Sequence, residues 1–182
     1  MSGVLVQAAL PTARAVRWTP GAALAGLLVA SAALTRYADR PADLVLAIAA
    51  AGLAATVVAG LQDPAAALLQ ALPASAMRRR VLRLAVVGAP ALAVWWVVDA
   101  LSPARLSGPG PLLALAAIGV AVAVWAPPRR AVLLGASTPV ALFTLHQVVP
   151  SGRASDVIAW WLTAPWWVLA AATLLCVAGR RR

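Results

Sequence analysis

The chain has 182 residues, of which 63% are hydrophobic, with a formal net charge of +10 and a mean hydropathy of +0.90. Soluble domains run about 45–50% apolar, so a soluble fold of this length is excluded. A water-filled β-barrel needs strict alternation of apolar and polar residues, and the continuous apolar runs here exclude that as well.

All 15 basic residues are arginine and all 5 acids are aspartate, a usage that fits a GC-rich bacterial genome. The charge does not point to nucleic acid, because no basic stripe interleaves with exposed aromatics. The arginines instead flank apolar runs, where they set membrane orientation. The stretch MSGVLVQAALPTARAVRW at residues 1–18 has no short apolar core before a cleavage site, so no removable signal peptide is expected. Residues 1–17 are expected to form an interfacial segment before the first span.

A spanning helix needs about 20 mostly apolar residues. Six segments qualify: 18–34, 42–61, 82–101, 110–126, 131–149 and 156–179. Pro20, Pro41, Pro103, Pro127, Pro128 and Pro150 fall near their ends, where proline punctuates helices. Pro90, Pro139 and Pro165 fall inside them and read as static kinks or as hinges. The sequence therefore predicts an all-α polytopic membrane protein, a single transmembrane domain of six helices over residues 1–182.

Eleven arginines lie at one set of ends: Arg14, Arg17, Arg78, Arg79, Arg80, Arg83, Arg129, Arg130, Arg180, Arg181 and Arg182. Four lie at the other: Arg36, Arg40, Arg105 and Arg153. The richer side is expected to be cytoplasmic, with both termini. Asp39, Asp43, Asp99 and Asp156 fall on the outer side and Asp63 on the inner.

Trp18, Trp125, Trp160 and Trp161 read as interfacial belt residues. Trp95, Trp96, Trp166 and Trp167 lie deeper, as packing bulk or as the lining of a substrate path. Small residues let helix backbones approach in lipid, and two rows stand out: Ala22, Gly26 and Ala30, and Gly52, Thr56 and Gly60.

Residues 61–84, LQDPAAALLQALPASAMRRRVLRL, interrupt the apolar runs. Asp63 can cap a helix and Pro64 suits its first position. Leu61, Ala65, Leu68 and Leu72 share one helical face, widened by Leu69, and Pro73 ends it. Ser75 then caps the third span. A short surface helix is expected within a cytoplasmic loop at 62–81. It has few polar residues to show water, so it favours a protein partner or the membrane.

The pattern D-P-x-x-x-L-L-x-x-L-P-x-S-x-x-R-R-R, followed by a span, resembles the loop after the second helix of ABC-2-type export permeases. In that family the loop forms a coupling helix that docks on an ATPase subunit. The resemblance implies this role for Asp63, Leu68, Leu69, Leu72, Pro73, Ser75 and Arg78. It also implies a separate ATPase subunit and a second membrane subunit, identical or related. The family loop usually carries glutamate and glycine before the leucines, where this chain has Asp63 and Ala66 or Ala67. The outer connection between the fifth and sixth spans is also shorter here than is common in the family. Two rival readings are a substrate-binding membrane subunit of a vitamin or metal uptake system, and a structural accessory subunit of a larger complex.

Little else carries chemistry. His146 is the single histidine and reads as an interfacial hydrogen-bonding residue, or as a substrate or proton contact with Asp99 or Asp156. The single cysteine, Cys176, behaves as a small hydrophobe. One His and one distant Cys do not make a metal or haem site. The chain has no lysine and so no phosphate-binding loop of the G-x-x-x-x-G-K-[ST] type. No cofactor and no enzyme activity are expected, and any ATP would be hydrolysed by a partner. The possible substrate path is Trp95, Trp96, Asp99, His146, Trp166 and Trp167, with an apolar or amphipathic substrate.

Overall fold

The computed structural model describes residues 18–35, 42–61, 76–103 and 108–179. The described residues form eight helices and no strand. These are α1 (Trp18–Thr35), α2 (Ala42–Ala59), α3 (Ala76–Leu101), α4 (Gly110–Trp125), α5 (Ala131–Val148), α6 (Arg153–Ile158), α7 (Trp160–Thr163) and α8 (Pro165–Gly179). The expected helix within 62–81 lies outside the described residues up to Ser75, and Ala76 onward already belongs to α3.

Four helices are long and apolar enough to cross a membrane: α1, α2, the Val81–Leu101 part of α3, and α5. α4 and α8 are apolar but shorter, at 16 and 15 residues. At about 1.5 Å per residue they reach roughly 24 Å, against an apolar membrane core of about 30 Å. Proline bounds α4 at both ends. Pro109 and Pro111 bracket the start of α4, and Pro127 and Pro128 follow its end.

The segment 156–179 is not one helix. It breaks into α6, α7 and α8, and Pro165 opens α8 instead of lying inside a span. A residue before proline is pushed out of α geometry, and Ala164 accordingly has φ −137° and ψ 51°. Its carbonyl accepts from the amides of Trp167 at 3.1 Å and Val168 at 3.3 Å, which starts the next helix. Pro90 and Pro139 do lie within α3 and α5.

α2 is the centre of the bundle. It packs on α1, α3, α4 and α5, and ten of its 18 residues are buried. Six alanines among its first thirteen residues keep it thin enough for neighbours on most sides, with Leu44 and Ile48 left exposed, and a helix so apolar belongs inside. α1 and α5 are peripheral, burying only Leu28, Ala32 and Thr35, and Gly135 and Pro139.

α4 and α5 meet backbone to backbone. A Cβ on Gly119 would lie 2.7 Å from the Gly135 carbonyl oxygen, and one on Gly135 would lie 2.6 Å from that of Gly119. Val58 of α2 fills the side of this crossing. The row Ala22, Gly26 and Ala30 takes no part in packing, for all three are exposed. Gly52 meets Leu24, and Gly60 meets Val87.

These contacts also give directions. α4 and α8 run parallel: Gly110 and Pro165 meet at their starts, and Gly179 meets Val124 and Trp125 at their ends. Trp125 Nε1 donates to the Leu175 carbonyl at 3.0 Å across the same pair. α5 runs against α4, through Gly135 with Gly119 and Ala123. The end of the bundle where α3 and α5 finish and α4 and α8 begin is here called the distal end.

Candidate functional site

Hydroxyl groups in this bundle mostly satisfy themselves within their own helix, as Ser and Thr do when no other acceptor is near. Thr35 Oγ1 donates to the Ala32 carbonyl at 2.6 Å and Thr56 Oγ1 to Leu53 at 2.7 Å. Thr138, Thr144 and Thr173 donate to Leu134, Val140 and Leu169. None of these groups is available for a ligand at no cost.

Among the described residues, five buried side-chain atoms depart from this rule and have no hydrogen-bond partner: Trp95 Nε1, Asp99 Oδ1, Ser102 Oγ, His146 Nδ1 and Trp161 Nε1. All five belong to the distal end. An unpaired buried polar group costs about 1–3 kcal/mol, so their gathering at one end of an otherwise self-satisfied bundle marks a candidate site.

Three of them share one strip of α3. Trp95, Asp99 and Ser102 follow an i, i+4, i+7 spacing, which keeps them within about 60° around the helix. The helical turn still includes Ser102, whose amide donates to the Val98 carbonyl at 3.0 Å. Trp95 and Val98 are fully buried, and Ser102 is 7% exposed. Val87 and Ala91 continue the same buried strip. α3 packs on α1 and α2, and Trp95 joins a core with Leu28, Ala32 and Leu46.

The other two meet across α5 and α7. The rings of His146 and Trp161 lie edge to face, with centroids 6.3 Å apart and planes at 83°. Trp161 is 1% exposed, held where α7 packs on α4 and α8. Its indole N–H and the His146 Nδ1 are both enclosed without partners.

The residues expected along a substrate path thus divide. Trp95, Asp99 and His146 lie at the distal end with buried polar atoms. Trp96, Trp166 and Trp167 are exposed on the outside of the bundle. Consecutive residues point about 100° apart around a helix, so a Trp-Trp pair cannot put both rings inside. The pair at 160 and 161 shows the same split: Trp160 is exposed, whereas Trp161, expected in the interfacial belt, is a core residue. Neither Asp99 Oδ1 nor His146 Nδ1 finds a partner, so the expected contact is not made through these atoms. Asp156 is exposed. Ser102 and Trp161 are additions to the site; Ser102 is not singled out by the sequence, where its spacing of seven from Trp95 is the one signal it carries.

Of the coupling residues, Asp63, Leu68, Leu69, Leu72, Pro73 and Ser75 lie outside the described residues. Arg78 falls on the first turn of α3, its side chain likewise outside the description. Among the described residues no three His, Cys, Asp or Glu side chains come together as metal ligands. A shallow groove on α5 is lined by Ser137, Val140, Ala141, Thr144, Leu145 and Val148. Its Ser137 and Thr144 hydroxyls are bonded to the carbonyls of Leu134 and Val140.

Comparison with protein-family models, with curated proteins and with solved structures finds no match. The reading of function therefore rests on the chain's own residues.

Proposed function

We propose that the chain is the transmembrane subunit of an ABC-type exporter in a bacterial inner membrane. It crosses the membrane six times, with both termini cytoplasmic. A separate ATPase subunit docks on the loop at 62–73, and a second membrane subunit, identical or related, completes the transporter.

The observation that carries this reading is the loop pattern from Asp63 to Arg80, placed directly before a span. The arginine distribution supports the orientation, because every connection assigned to the cytoplasm carries at least two arginines. The parallel packing of α4 and α8 supports the count, since a fourth and a sixth crossing must run the same way. Short apolar helices are accommodated by local thinning of the bilayer and by flanking residues that reach the interface. On this reading the distal end faces outward.

A second reading, the substrate-binding membrane subunit of an uptake system, draws support from the buried polar atoms at that outer end. Such a subunit has no need of the loop at 62–73, which separates the two. The tagged chain is extracted in mild detergent and its partners identified by mass spectrometry. An ATPase subunit at stoichiometric yield is expected, and it is lost in the Leu69→Asp, Leu72→Asp double variant. Unchanged association with a correctly inserted double variant contradicts the coupling role.

A further inference from the structure

We propose that the distal strip of α3 formed by Trp95, Asp99 and Ser102 binds the ammonium group of an amphipathic amine. This goes beyond the exporter reading, because it needs the membrane-embedded bundle and not the coupling loop.

The chemistry of the three side chains selects the ligand. Of the three described acids, Asp43 and Asp156 are exposed and Asp99 is half-buried, with Oδ1 enclosed and unpartnered. A carboxylate in a low-dielectric setting calls for a cationic donor. Trp95 offers the aromatic face that attracts cations most strongly, fully removed from solvent. Ser102 Oγ is enclosed within one helical turn of Asp99 and can accept a second ammonium N–H. The indole N–H of Trp95 remains as a donor to a hydroxyl or carbonyl next to the amine.

Other ligand classes fit less well. An anion is repelled by Asp99. An uncharged alcohol leaves the carboxylate uncompensated. Calcium takes about 6–8 oxygen ligands, whereas this strip offers one carboxylate and one hydroxyl. The surrounding Leu28, Ala32, Leu46 and Val98 are apolar, which suits the hydrocarbon part of an amphiphile. Because Trp95 is covered, entry requires a helix to yield. Among the described helices α1 packs on α2 and α3 alone and buries three residues, so it is the helix whose displacement costs least.

The test uses the full chain in lipid nanodiscs, titrated with octylamine and with octanol as the uncharged match, read by tryptophan fluorescence. Octylamine is expected to give a saturable change and octanol none. Asp99→Asn weakens octylamine binding about tenfold, and Ser102→Ala about threefold. Asp43→Asn, at an exposed position on α2, leaves it unchanged. Should Asp99→Asn fail to fold, Trp95→Phe keeps an aromatic packing residue and still weakens binding, Phe being the poorer cation acceptor. Equal responses to octylamine and octanol overturn the proposal. So does wild-type binding by a well-folded Asp99→Asn protein. ATPase copurification on the same variants is expected to be unchanged, so a failure here stands apart from a failure of the coupling role.

Discussion

The crossing of α4 and α5 and the distal end of the bundle are built on opposite terms. At the crossing, Gly119 and Gly135 bring two backbones into contact and Val58 closes the side, with no polar side chain involved. At the distal end, large side chains are buried just as deeply, but Trp95, Asp99, Ser102, His146 and Trp161 carry polar atoms that nothing satisfies. One region is finished by packing alone. The other holds groups that a merely structural core would not retain, since apolar residues of the same shape would be as stable or more so. In a membrane, polar groups at depth are expensive and mark function. The contrast separates the packing that holds the bundle together from the end where a ligand is proposed to bind.

Substitutions can break that contrast from either side. The largest effect is expected at the crossing. Gly135→Leu would drive a side chain into the Gly119 carbonyl and Ala123, an overpacking against backbone that cannot move aside. Its loss should exceed about 3 kcal/mol, the upper range for ordinary overpacking, and appear as a lost monodisperse peak in size-exclusion chromatography. Trp161→Ala comes next, at roughly 3–5 kcal/mol for emptying a fully buried aromatic site, read as a lower melting temperature in detergent.

Trp161→Phe sharpens the comparison. It keeps the ring against His146 and removes an unpaired N–H. Its stability is expected within about 1 kcal/mol of the wild type, and a much larger loss would mean that the indole nitrogen has a structural role. Trp167→Ala should be the mildest, within about 0.5 kcal/mol, because the ring is 80% exposed.

Much of the fold is legible in apolar run length and proline placement. The expected spans at 18–34, 110–126 and 131–149 correspond to Trp18–Thr35, Gly110–Trp125 and Ala131–Val148. Run length does not reveal a break, so 156–179 reads as one helix although Pro165 forces Ala164 out of α geometry. Small-residue rows mislead for a related reason. In an alanine-rich chain they occur on every face, and Ala22, Gly26 and Ala30 turn out exposed while Gly119 and Gly135 make the contact. At the site, Asp99 and His146 stand out because ionisable residues in apolar runs are rare. Whether a tryptophan of a pair turns inward depends on helix rotation, and only packing sets that: one ring does so at 95/96 and at 160/161, and neither at 166/167. Composition could therefore not separate Trp161 from Trp160, or Trp95 from Trp96.

The proposed six-crossing orientation is tested most directly by cysteine labelling on intact cells. With Cys176 replaced by serine, single variants Ser151→Cys and Arg129→Cys are treated with a membrane-impermeant maleimide. Both positions are exposed and lie at opposite ends of α5. Labelling of Ser151→Cys in intact cells, and of Arg129→Cys only after permeabilisation, is the predicted result. If α4 did not cross, the pattern would invert. An inverted pattern would contradict the orientation, and with it the assignment of the polar distal end to the outer face.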